Sequence, residues 1–327
     1  MQLAIVVPGP LEPAPVLGLH APDGFLSVPV AAAMWVVAII VIAISVRRAS
    51  RTFDERAVPL MGVTAAFIFA AQMINFPVAG GTSGHMLGGA LAAVVLGPWA
   101  GILVMTSVVA LQGLLFQDGG LLVMGANILN MGILPALIGY GLYQLAAGRG
   151  KGFRTAVVAG GAYISVIAAA LLASTQLWLS GTSPAGVVFP AMLGVHALIG
   201  IGEALITAAA FSFIAQVRPD LLTAEGAAQA SKAWMIVGGI ISLVVVFISP
   251  LASAFPDGLE RVAEDHGFLQ IAQDSPYSIF ADYLIPALGD SPLSTIIAGI
   301  VGIILVAAIA FVIGRAVRKA PQETSIQ

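Results

Sequence analysis

Four histidines are the side chains of this chain best suited to chemistry, because it contains no cysteine and imidazole is a favoured ligand for nickel-, copper-, zinc- and cobalt-like ions. His20 sits in LHAPDGFLS, beside the turn signal Pro22-Asp23-Gly24. It reads either as a metal ligand at a turn or as a solvated loop histidine. His85 sits in NFPVAGGTSGHMLGG, where the glycines permit close backbone approach and Asn75, Thr82 and Ser83 add polar groups. It is either a ligand that pairs with His20 or part of a polar turn. His196 and Glu203 lie seven residues apart in GVHALIGIGEAL, hence on one helical face. They form either an ion relay or a buried, hydrogen-bonded pair that locks helices together, as the nearby Gly194, Gly200 and Gly202 suggest. His266 falls in an acidic stretch, where it either helps gather cations or is simply solvated.

Gln72, Asn75, Gln112, Asn127 and Asn130 interrupt apolar segments. Such residues bond across helices or line a route. No GxxxxGK[ST] phosphate loop occurs, so the chain does not bind ATP that way. HExxH and GxSxG are absent too, and an enzyme reading has no residues to stand on.

These residues must be positioned by membrane helices. The chain is 59% hydrophobic and only 9% charged, against about 25% charged in soluble domains. So few charges cannot cover so apolar a core, and the solvent of this protein is lipid. Nine apolar segments are expected, near 28–46, 58–79, 84–97, 98–116, 121–147, 154–179, 187–216, 233–253 and 294–314. The third is short for a crossing, and the Gly and Pro around 80–101 predict a broken element packed within protein. With the N-terminus outside, twelve of the 13 basic residues fall on the inner side, as the positive-inside rule requires. The exception, Arg261, shares its loop with seven acidic residues. The net charge of −3 gives no sign of nucleic-acid binding.

HAPDGFLS, AAQMINFPVAGGTSGHMLGGALAAVVLGPWAGILVM, GANILNMG and MLGVHALIGIGEALIT together resemble the CbiM/NikM family. These are the substrate-specific components of energy-coupling-factor (ECF) transporters, a class of ABC transporter, for cobalt or nickel. PDGLERVAEDHGF and the final helix resemble the PDGLE-type CbiN/NikN small subunit, so the chain looks like a fusion of the two. The resemblance implies an all-α, polytopic membrane protein: a seven-helix bundle plus a C-terminal two-helix unit with an extracytoplasmic loop. The expected division is an extension over 1–19, the metal-binding membrane domain over 20–217, a cytoplasmic linker over 218–232, the PDGLE unit over 233–319 and a tail over 320–327.

The resemblance further implies an importer subunit in a bacterial or archaeal cytoplasmic membrane, N-terminus extracytoplasmic and C-terminus cytoplasmic. Its partners would be a T component (CbiQ/NikQ-like) and ATPase subunits (CbiO/NikO-like), with Co2+ or Ni2+ as cargo and no cofactor. The family's ligands map onto His85 and onto the amide and imidazole of His20, with Asn75, Ser83, His196 and Glu203 as supporting or route residues. An all-nitrogen, nearly planar set suits a d8 ion such as Ni(II) and admits Co(II).

The family's fourth ligand is a terminal amine, whereas His20 here follows Leu19 and eighteen further residues. The stretch 1–19 has neither a basic start nor an unbroken apolar run, so it is not a signal peptide. A start at Leu19, read as Met from a TTG codon, would restore the amine. The rival readings are a stand-alone secondary divalent-metal transporter, for which Glu203 is the sole coupling acid, and a membrane metal sensor.

Overall fold

The structure is a computed structural model, and it describes residues 20–52, 58–222 and 232–317. The expected extension over 1–19, much of the expected linker and the expected tail lie outside these residues.

Among the described residues, seven helices are long and apolar enough to cross a membrane. In chain order the helices are α1 (Val28–Thr52), α2 (Val58–Gln72), α3 (Gly89–Leu96), α4 (Pro98–Leu111), α5 (Met124–Asn127), α6 (Leu134–Leu145), α7 (Lys151–Leu179), α8 (Ala185–Val217), α9 (Lys232–Ile248), α10 (Gly258–Asp265) and α11 (Pro292–Val317). Helix α4 runs on as a π-helical turn, Gln112–Phe116, and Ile128–Ile133 is a π-helical stretch joining α5 to α6. Such wide turns cluster at functional sites. Helix α1 turns Val36, Ile40 and Ile44, spaced four apart, to the outside, the face expected against lipid tails.

The second apolar segment departs from its expected length. It stops at Gln72, and residues expected to continue it form an antiparallel hairpin, β1 (Phe76–Val78) with β2 (Thr82–Gly84). Fifteen residues rise about 22 Å at 1.5 Å each, short of a bilayer core of about 30 Å. The hairpin and the eight-residue α3 follow it before α4 begins at Pro98. They are tolerated there because β2 and nearly all of α3 are buried in protein.

Helix α2 is apolar all round and mostly buried, as befits the centre of a bundle. The C-terminal unit packs on it through small residues. A Cβ at Gly302 of α11 would lie 2.2 Å from the Phe69 ring, and one at Gly62 would lie 3.1 Å from the Ala307 carbonyl oxygen. In lipid, such close backbone approach takes the place of hydrophobic burial as the force joining helices. The connection between α9 and α11 carries α10 and folds over the end of the bundle that holds His20.

Candidate metal site

The segment after His20 is fixed mainly by the chain between α4 and α6. Asn127 binds both backbone groups of Ala21: its Oδ1 accepts from the N–H at 3.2 Å and its Nδ2 donates to the carbonyl at 3.0 Å. The Asp23 carboxylate accepts from the N–H groups of Leu121, Leu122 and Val123 at 3.0, 2.9 and 3.1 Å. Gly120 N–H donates to Ala21 O at 3.0 Å. Gly119, at φ +99°, closes the contact, since a Cβ there would lie 2.7 Å from the His20 Cβ. The turn foreseen at Pro22-Asp23-Gly24 is therefore a docked loop with His20 buried at its head.

His85 follows β2. Glu203 of α8 holds the backbone just beyond it, Oε2 accepting from Leu87 N–H at 2.7 Å and Oε1 from Gly88 N–H at 3.1 Å. Gln72 donates to Leu87 O at 2.8 Å. His196 and Glu203 do not bond each other: His196 Nδ1 donates to Met192 O at 2.8 Å within its own helix, and only Glu203 holds another element.

His20 and His85 meet edge to face, with ring centroids 5.9 Å apart and planes at 89°. Both line a cavity of about 100 Å³ together with His196, Asp257, Asn127 and Asn130. All three rings give their Nδ1 proton to a carbonyl oxygen: His20 to Asp118 at 2.9 Å, His85 to Met86 at 3.1 Å, His196 to Met192 at 2.8 Å. That fixes the tautomer with its lone pair on Nε2, the arrangement that outer hydrogen bonds impose on metal-binding imidazoles. The Nε2 of His20 is buried with no partner, an arrangement costly unless something is bound there. A chelate with the residue's own amide would use Nδ1 instead, which Asp118 here occupies. Among the described residues, no three His, Asp or Glu side chains already form a complete metal cage.

Three residues near the site were not singled out from the sequence. Asp118 lies with Oδ1 3.1 Å from His20 Nδ1. Burial alone would lower the pKa of His20, but the charge and hydrogen bonds of Asp118 outweigh it and raise it. Asp118 is held below the carboxylate range against its own burial by His20 and by the Tyr283 hydroxyl. Asp257 is raised by burial, with His85 and the N–H groups of Glu260 and Leu259 opposing. It caps α10 in a capping box with Glu260. Asp118 stands in Gln117-Asp118-Gly119-Gly120, and the two glycines are its one local signal of close approach.

Of the remaining candidates, Ser83 faces the PDGLE segment: its hydroxyl donates to Phe255 O at 2.7 Å and its N–H to Pro256 O at 2.8 Å. Asn75 O accepts from Ser253 N–H at 2.8 Å. Both residues therefore fasten the hairpin to the C-terminal unit. Asn130 and Gln176 bond each other at 2.8 and 3.0 Å. His266 is exposed.

Residues 20–221 match the cobalt uptake substrate-specific transmembrane region, CbiM, and residues 232–319 match the PDGLE domain. This chain belongs to the CbiM family. It is a CbiM/NikM-type chain fused to a NikN-like part, as the sequence predicted, and a multi-pass membrane protein of cobalt and nickel transport. The putative fused nickel transport protein NikMN of Archaeoglobus fulgidus is 36% identical, over 92% of this chain and all of that one. The cobalt transport protein CbiM of Sorangium cellulosum is 32% identical, over 62% of this chain and 94% of that one. The crystal structure of a truncated transition metal transporter superposes with a TM-score of 0.55 at 34% identity, covering 60% of this chain and 98% of that one.

Proposed function

We propose that this chain is the ion-capturing subunit of an ATP-driven, ECF-type importer of divalent nickel or cobalt. His20 and His85 are the ion's protein ligands. A T component and ATPase subunits supply the energy, and the His20 end faces the outside, with the C-terminus in the cytoplasm. The observation that carries this reading is the cavity in which two imidazoles stand 5.9 Å apart while His20 Nε2 lacks a partner. A nitrogen pair of this kind selects late first-row divalent ions over magnesium or calcium.

The loop between α9 and α11 modulates loading. It reaches the site through Asp257, and its Gln273 N–H donates to Asp23 O at 2.8 Å beside His20. A stand-alone secondary transporter would need a free coupling acid near the midplane. Both oxygens of Glu203 are engaged by backbone N–H groups, which disfavours that reading.

Reconstitution in vesicles tests the proposal. The chain alone is expected to bind Ni(II) or Co(II) without accumulating it, and accumulation is expected only when T and ATPase subunits and ATP are supplied. Uptake by the chain alone under a proton gradient would overturn it.

A further inference from the structure

Tyr283 lies far along the chain from the candidate ligands, in the loop between α9 and α11, yet its hydroxyl enters their surroundings. It donates to Asp118 Oδ2 at 2.5 Å. The direction is forced, because the same oxygen accepts from Gln112 Nε2 at 3.0 Å and has one proton to give. The other carboxylate oxygen of Asp118 is the one 3.1 Å from His20 Nδ1. A continuous chain of contacts therefore runs from Gln112 through Tyr283 and Asp118 to the imidazole, and all four members are buried.

The phenol ring is set by packing as well. It stacks on Phe116, with centroids 4.8 Å apart and planes at 21°, and stands edge-on to Phe69. The backbone at Asp282 and Tyr283 takes φ of +55° and +57°, a conformation that non-glycine residues adopt only where the surroundings over-determine it.

We propose that Tyr283 of the PDGLE unit is a positioning residue for the ion site: it pins the Asp118 carboxylate and thereby the orientation of the His20 ring. Without the phenol the carboxylate can swing, and the imidazole beside it then loses a fixed neighbour. With Oδ2 held by the Tyr283 hydroxyl, Oδ1 stays 3.1 Å from Nδ1 and the ring is presented ready-made. Loading of the ion is thus tied to the docking of a loop that supplies no ligand itself. The inference rests on the reading of His20 as a ligand.

The test uses the full chain in detergent, with Ni(II) or Co(II) alone as probe. Tyr283→Phe keeps the stacked ring and removes only the hydroxyl. Its metal affinity is expected to fall by about 10–100-fold, the usual loss when an outer hydrogen bond to a ligand is removed. The absorption bands of bound Co(II) are expected to shift at saturation. Tyr283→Phe placed on Asp118→Asn is expected to add less than about twofold, since both substitutions break one chain. Gln112→Leu, which frees the phenol to turn from Asp118, is the second variant should the first fail to fold, and it is expected to weaken binding in the same direction. Unchanged affinity and spectrum in the folded variant, or fully additive losses, would overturn the proposal. A wild-type chain that binds neither ion, or a His20→Ala chain that binds as well as wild type, would instead overturn the reading beneath it.

Discussion

Glu203 holds the loop that follows His85, its two carboxylate oxygens accepting from Leu87 and Gly88 N–H at 2.7 and 3.1 Å. The acid that stands out in the sequence as a possible ion relay thus acts as a backbone clamp on a neighbouring element. It places His85 as Asn127 and Asp23 place His20.

Glu203→Gln tests that role. The amide can accept through one oxygen, and its NH2 would face a backbone N–H in a buried site. An unsatisfied buried donor costs about 1–3 kcal/mol. The expected outcome is a lower thermal midpoint in detergent together with weaker Ni(II) binding. A relay role would instead leave binding intact and abolish only transport.

His85→Ala removes a proposed ligand without disturbing the Glu203 clamp, which acts on backbone. The loss of Ni(II) affinity is expected to exceed the roughly 10–100-fold typical of outer-partner substitutions, with the fold retained. Equilibrium dialysis of the folded variant measures it, and wild-type affinity would count against the site.

The His20–Asp118 contact predicts a pH dependence for the metal-free chain. The pKa of His20 is raised above its usual 6.5, so the imidazolium binds its proton more tightly folded than unfolded. Its contribution to stability is fully present below pH 6.5 and is lost as pH rises through the raised folded value. Asp118 has a lowered pKa, so its contribution is present above the ordinary carboxylate range and lost as pH falls through the lowered value. The thermal midpoint is expected to drop on the alkaline side of pH 6.5, and Asp118→Asn is expected to flatten that drop. Protons also compete with metal for the ring, so the same substitution should move the acid limit of Ni(II) binding to lower pH.

Hydrophobic runs and turn residues are local signals, and they located all nine apolar segments, the short third one included. The early end of α2 was not legible, because Ile74, Phe76 and Val78 are as apolar as the helix before them. Only the fold shows that a hairpin can be buried there. His20 and His85 stood out by type, since buried polar groups in lipid are rare and functional. Asp118 and Tyr283 did not, because what marks them is contact across 98 and 165 residues, and no periodicity records such contacts. The His196–Glu203 spacing was read correctly as one helical face, but a shared face did not make the two side chains partners.

The contact between Gly24 and Ile271 offers the sharpest test of loop docking. Gly24 sits at φ +93°, and a Cβ there would lie 2.0 Å from the Ile271 carbonyl oxygen. That neighbour is backbone and cannot rotate away. Gly24→Ala therefore adds a steric clash to conformational strain of about 1–3 kcal/mol. It should push the Leu269–Ile271 turn off the His20 segment and break the 2.8 Å bond from Gln273 N–H to Asp23 O. Limited proteolysis is expected to cut the variant faster between α10 and α11, and Ni(II) binding should weaken because Tyr283 travels with the same loop. Gly150→Ala, where φ is −62° and nothing lies within 4 Å of the added carbon, is the matched control and should change neither. Equal proteolysis of the two variants would mean that the loop is not seated on the His20 turn.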